Sequence, residues 1–144
     1  MLRFGNVYGP FGAHKESVVS KFLKDILATG QITIDGDGKQ TRDLVYVEDL
    51  CRAILLALES SYAGEVFQIA TGVETSILEL AVLVQEVVGR DVGIRQGPPR
   101  QGDIRQNYSG IAKARKLLGW EPRVGLSAGL RATWEWYRRN LTAG

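Results

Sequence analysis

Leu2-Arg3-Phe4-Gly5-Asn6-Val7-Tyr8-Gly9-Pro10 follows the initial Met1 and reads as the end of a buried strand running into a loop. Gly9-Pro10-Phe11-Gly12 closes that strand, because glycine and proline punctuate extended runs. Working outward, Glu16 to Thr29 carries Val18, Val19, Phe22, Leu23, Ile26 and Leu27 at helical spacing, with Gly30 as its stop. Gln31 to Asp35 is a short β-branched strand, and Asp35-Gly36-Asp37-Gly38 forces a turn. Leu44 to Val47 is extended and leads into a helix whose apolar side is Leu50, Ile54, Leu55 and Leu58, with Gly64 after it. Glu65 to Ala70 is a further strand. Ser76 and Glu79 have capping-box spacing ahead of a helix striped by Leu80, Leu83, Val84 and Val87 and closed by Gly89. Asp91 to Gln96 is a strand, 97–103 a polar loop, Ser109 the cap of a helix over 111–118, and Ser127 the start of a last helix. Leu130, Trp134, Tyr137 and Leu141 share one side of that helix. Alternation of strand and helix predicts an α/β fold.

The 144 residues suit one domain able to bury a real core. With 44% hydrophobic and 24% charged residues, a net charge of +2 and no dense basic run, nucleic acid is not an expected partner. No apolar run reaches membrane-spanning length, and Met1 does not begin a signal peptide, so the expected location is cytoplasmic and no membrane partner is expected. The lone Cys51 forms no internal disulfide and is expected as a buried thiol. His14 is the only histidine, and no metal-ligand spacing accompanies it, so no metal site is expected.

Arg42 follows the glycine turn and meets Asp43. The two are either a surface turn pair or the start of a phosphate site, since a guanidinium fork matches a phosphate. Arg100 and Arg105 flank Asp103 in the second polar loop, and arginines on two loops can converge on a diphosphate. Asn6 sits at a strand end, where α/β proteins place ligand contacts, or else stabilises the turn. No Gly-x-Gly-x-x-Gly turn appears in the chain.

Arg3 to Pro10, Gly36 to Asp49, Glu65 to Gly72, Pro99 to Arg105 and Lys113 to Trp120 together resemble, in order, blocks of the extended short-chain dehydrogenases/reductases. The resemblance is to the NAD-dependent nucleotide-sugar epimerases and dehydratases. It implies that Asn6 contacts the diphosphate region of a nucleotide sugar, that Arg42 and Arg100 hold its phosphates, and that Asp103 accepts a ribose hydroxyl, with Arg105 as a further contact. Leu44, Gln68 and Ala70 depart from the family's aromatic, asparagine and glycine. The family's chemistry is hydride transfer from a sugar carbon to NAD, with a tyrosine base and a lysine four positions on. No tyrosine of this chain has such a lysine.

The resulting expectation is a C-terminal part of such an enzyme. Its fold is an incomplete NAD(P)-binding Rossmann-like α/β fold, with C-terminal strands plus the small substrate-binding domain. Residues 1–10 and about 43–72 return to the nucleotide-binding sheet, while about 11–42 and 73–144 are mainly substrate-binding domain. On this reading the chain binds a nucleotide-diphosphate sugar, has no catalytic residue, is inactive alone and binds no NAD alone, NAD belonging to the parent enzyme. A homodimer through a surface left bare is also expected. Two other readings stay open: a standalone nucleotide-diphosphate binding module, and a non-catalytic self-associating remnant.

Overall fold

The opening run divides at Gly5 into two strands, β1 (Leu2–Phe4) and β2 (Asn6–Tyr8), and each takes its own parallel partner in the computed structural model, which describes residues 1–141. The last three positions of the expected 73–144 region lie outside the described residues. β1 pairs with the strand Phe67–Ile69, and β2 pairs with Leu44–Tyr46. Gly5 is the switch. Its N–H donates to the Ile69 carbonyl at 3.0 Å, and the next N–H, of Asn6, donates to the Asp43 carbonyl at 3.0 Å. A Cβ at Gly5 would stand 3.1 Å from that Asp43 oxygen, so a side chain there would crowd the crossing backbones.

The remaining elements follow in chain order. After a single 3-10 turn (Gly12–His14) come α1 (Val18–Thr29), β3 (Gln31–Asp35), β4 (Thr41–Arg42), β5 (Leu44–Tyr46) and α2 (Val47–Glu59). β6 (Phe67–Ile69), β7 (Thr75–Ser76), α3 (Ile77–Val88), β8 (Gly93–Gly97), α4 (Ala112–Leu118) and α5 (Leu126–Leu141) complete the described chain. β3 and β8 are parallel neighbours over five residues, from Gln31 opposite Gly93 to Asp35 opposite Gly97. β4 and β7 form a short antiparallel pair. Ser17 caps α1, and Gly30 ends it in the left-handed region at φ 72°. The Ser76–Glu79 capping box forms as the spacing predicts.

The expectation of an incomplete fold is corrected here. A Rossmann-like α/β arrangement runs through the described chain, and all eight strands are paired. The physical reason is the partner switch at Gly5, which gives one apolar run two neighbours. Two hydrophobic clusters result. One gathers α1, β3, α3 and α5 around Phe22, Ile32, Leu80 and Leu130. The other gathers β5, β6, α2 and α4 around Val45, Ile69, Ala114 and Trp120. Each such large side chain contributes roughly 1.5–3 kcal/mol by leaving water.

Three local expectations also change. α2 buries Asp49 and Ala53, so its Leu55 and Leu58 point outward at 60% and 77% exposure, and Cys51 is exposed rather than buried. Ile111, not Ser109, is the residue before α4, and the Ser109 N–H donates to Asp43. Leu141 is 43% exposed and leaves the shared side of α5.

Within the first cluster, the rings of Tyr8 and Tyr46 stack edge to face with centroids 5.6 Å apart. The Tyr8 hydroxyl donates to the Leu126 carbonyl at 3.3 Å. Gly129 of α5 admits this pair, since a Cβ there would lie 2.3 Å from the Tyr8 oxygen. Burial raises the ionisation of Tyr8, Tyr46 and Tyr137 above the ordinary phenol value, with nearby Tyr46 and Asp49 adding to the effect on Tyr8. In the unfolded chain these phenols ionise near pH 10, while the native chain resists. Their contribution is therefore whole below about pH 10 and is lost as pH rises beyond it. Urea unfolding followed from pH 8 to 11.5 will show a flat midpoint up to about pH 9 and a fall above pH 10. Tyr8→Phe will make the fall shallower, and an unchanged slope in that variant contradicts the assignment.

Candidate functional site

Asp43 lies between β4 and β5 with no solvent exposure, which corrects the reading of Arg42 and Asp43 as a surface turn pair. One carboxylate oxygen accepts the Thr71 N–H at 2.7 Å and the Thr71 hydroxyl at 2.6 Å. The other accepts the Gly72 N–H at 2.9 Å and the Ser109 N–H at 3.3 Å. One acid thus ties the turn after β6 to the loop before α4. An unpaired buried carboxylate would be prohibitively costly, so these donors are what permit it. The sequence signal for this hub was an Asp followed directly by the apolar Leu44-Val45-Tyr46 run.

Arg42 turns the other way, toward the loop at 100–105. Its guanidinium donates to the Thr41 carbonyl at 2.7 Å and the Ile104 carbonyl at 2.6 Å, and it forms an ion pair with Asp103. The Thr41 N–H donates to the Arg105 carbonyl at 2.8 Å. These bonds strap the second polar loop along β4. Asn6 spends its amide hydrogens on the Asp43 carbonyl, 3.2 Å, and the Asn107 side-chain oxygen, 3.0 Å.

Two clefts open from this strap. Asn6, Arg42, Arg100 and Asp103 line one of about 190 Å³, together with Lys21 and Asp35. Arg100, Asp103 and Arg105 line a neighbouring one of about 580 Å³, with Asp35, Asp37 and Pro99. Arg42 of β4 and Arg100 of the 100–105 loop therefore line a common space. Arg105 sits apart from Asn6 and Arg42, bonded to Asp37 at 3.1 Å. A backbone hydrogen bond from Lys39, and then Arg105 itself, hold the Asp37 carboxyl below its usual value. The Arg100 guanidinium has no hydrogen-bond or ion-pair partner among the described residues, and it faces both clefts. No group of three or more His, Cys, Asp or Glu among those residues is placed to hold a metal. No helix of the described chain is long and apolar enough to cross a membrane.

A second buried acid, Asp49, fixes the far end of the chain. Its oxygens accept from the Arg123 N–H at 3.1 Å, the Val124 N–H at 3.0 Å and Arg52 at 2.8 Å, while its carbonyl takes the Trp120 indole N–H at 2.9 Å. Asp49 in the first turn of α2 and Glu79 in the first turn of α3 place carboxylates at the helix ends where a dinucleotide pyrophosphate is commonly held. Those two ends do not fit a pyrophosphate, because their carboxylates would repel it.

Comparison with known proteins places this geometry. The NAD dependent epimerase/dehydratase family matches residues 1–70. A UDP-glucose 4-epimerase of Mycolicibacterium smegmatis is 39% identical over 135 residues, covering 92% of this chain and 43% of that protein. The crystal structure of a UDP-glucose 4-epimerase with UDP-glucose, from Thermotoga maritima, superposes with a TM-score of 0.90 at 43% identity, over 97% of this chain and 46% of that one. A UDP-glucuronic acid 4-epimerase from Bacillus cereus, solved with UDP-glucuronic acid and NAD, gives 0.86 at 32% identity, over 96% and 44%. The chain thus spans just under half the length of these relatives. Epimerase or dehydratase, NAD, UDP-sugar and a Rossmann-like fold are the shared vocabulary of the matches.

The reading of the chain as a catalytically incomplete C-terminal piece that binds no NAD alone is corrected by these findings. The likeness extends through 92–97% of the chain, to proteins named as epimerases and to a structure holding NAD.

Replacing Asp43 by alanine leaves the Thr71, Gly72 and Ser109 N–H groups without their acceptor. The expected cost is about 3 kcal/mol or more, read as a lowered urea midpoint. A wild-type midpoint in Asp43→Ala contradicts the role given to this carboxylate.

Proposed function

We infer that this chain belongs to the NAD-dependent epimerase/dehydratase family and binds a nucleotide-diphosphate sugar in the clefts between β4 and the 100–105 loop. The observation that carries this reading is the shared cleft of Asn6, Arg42, Arg100 and Asp103, residues from three separate stretches of the sequence. Arg100 supplies an uncommitted guanidinium, which matches a phosphate with paired N–H donors. Arg42 already donates to the loop and to Asp103, so it acts second. A diphosphate reaching Arg42 competes with Asp103 for the guanidinium, and the released carboxylate becomes an acceptor for a sugar hydroxyl. The Asn6 side-chain oxygen remains as a further acceptor at the strand end, because its amide hydrogens are engaged. The relatives' UDP-sugar ligands support this substrate class.

Calorimetric titration with UDP, dTDP and GDP tests the reading. At least one will bind in the micromolar range, and Arg100→Ala will weaken it about tenfold or more, as expected for loss of a charge-assisted contact. Arg42→Ala will weaken it too, with added loss of loop order. If no nucleoside diphosphate binds at millimolar concentration, or if Arg100→Ala leaves affinity unchanged, the diphosphate site is wrong.

A further inference from the structure

We propose that the chain carries a second small-molecule site, for a compact apolar carboxylate, in the cleft between the 71–75 loop and the 122–126 loop. This cleft shares no lining residue with the two beside the 100–105 loop, so the proposal stands apart from the diphosphate reading.

Leu44, Val73, Pro122, Val124 and Leu126 line a cleft of about 360 Å³. Clefts of this size, with apolar walls and few polar groups, suit small ligands. Leu44 is buried in the first cluster, so the cleft opens directly off the core. Each of the two loops is held by a different buried acid. Asp43 accepts the Thr71 N–H at 2.7 Å and its hydroxyl at 2.6 Å. Asp49 accepts the N–H groups of Arg123 at 3.1 Å and Val124 at 3.0 Å. The Leu126 carbonyl is held in turn by the Tyr8 hydroxyl at 3.3 Å. Walls fixed in this way need no ordering when a ligand enters, which favours binding.

Arg123 is the one charged residue lining this cleft, and its guanidinium has no hydrogen-bond or ion-pair partner among the described residues. The exposed carboxylates of the same two loops are engaged elsewhere. Glu74 accepts the Thr41 hydroxyl at 2.8 Å, and Glu121 faces Arg115 at 3.7 Å. Neither lines the cleft. The ligand chemistry follows from this pairing of apolar walls with a free cation. An aromatic or branched apolar body gains by leaving water against Leu44, Val73 and Val124. A carboxylate at its end accepts paired N–H bonds from the guanidinium. A small polar anion leaves the walls wet, and an uncharged apolar molecule leaves Arg123 unused. Only a molecule with both parts satisfies the whole site.

The test is titration of the nitrogen-15-labelled chain with phenylacetate, benzyl alcohol and acetate, followed at the backbone amides of Val73, Thr75, Val124 and Leu126. Phenylacetate is expected to shift these amides along one saturating curve with a Kd of about 1 mM, and the other two to bind about fivefold or more weakly. Arg123→Gln keeps the backbone N–H that meets Asp49 and is expected to weaken phenylacetate about fivefold while benzyl alcohol stays level. Val73 is 61% exposed, so Val73→Trp fills the cleft without touching the core and is expected to abolish both. Saturating UDP is expected to leave the phenylacetate curve in place. The site is overturned if these amides stay still at about 20 mM phenylacetate, if acetate binds as tightly as phenylacetate, or if Arg123→Gln leaves the curve unchanged. Displacement of phenylacetate by UDP overturns it too, by putting the probe in the diphosphate cleft. Failure of UDP to bind leaves this site intact and counts against the diphosphate reading alone.

Discussion

A carboxylate without solvent can be tolerated only where the chain surrounds it with donors, and Asp43 meets that condition through four bonds from Thr71, Gly72 and Ser109. The constraint reaches further than its own contacts. Its carbonyl also takes the N–H of Asn6, where the opening strand changes partners. The turn after β6, the loop before α4 and the start of β2 are therefore all registered against one residue. Arg42, the residue before it, is consequently aimed out of the core and onto the 100–105 loop. Fold and site share this hinge.

The site is built from competition among its own charges. Arg42 and Asp103 neutralise one another, and so do Arg105 and Asp37, at 3.1 Å. Arg42–Asp103 is the less exposed pair, with side chains 17% and 24% exposed, against 72% and 45% for Arg105–Asp37. Screening makes the outer pair worth little, whereas the inner one orders the loop. Arg100 and Asp35 keep their charges uncommitted, one suited to a phosphate and one to hydrogen-bond donors.

Much of the fold was legible because it is local. Ser76 and Glu79 announce a capping box, Gly30 and Gly89 announce helix ends, and the Phe22 and Leu80 stripes announce buried faces. What failed depends on tertiary partners. Leu55 and Leu58 look like a core stripe, yet α2 presents Asp49 and Ala53 inward because Asp49 must meet the N–H groups of Arg123 and Val124. Ser109 looks like a cap, yet α4 starts after Ile111 and Ser109 instead donates its N–H to Asp43. The same limit applied to the site. Arg42, Arg100 and Asp103 could be named from their loops, but Asp43 could not be seen as a buried hub. Nor did the turn pattern around Asp35 show that its carboxylate would face two clefts.

The central claim is that guanidinium groups from β4 and from the 100–105 loop close on one diphosphate. It is tested most directly by nitrogen-15 NMR of the arginine side chains during titration with a nucleoside diphosphate. The account predicts that the Nε–H signals of Arg42 and Arg100 shift together along one saturating curve, while that of Arg139, exposed on α5 beside Glu135, stays in place. Shifts confined to surface arginines such as Arg139, or none at Arg42 and Arg100, would contradict it.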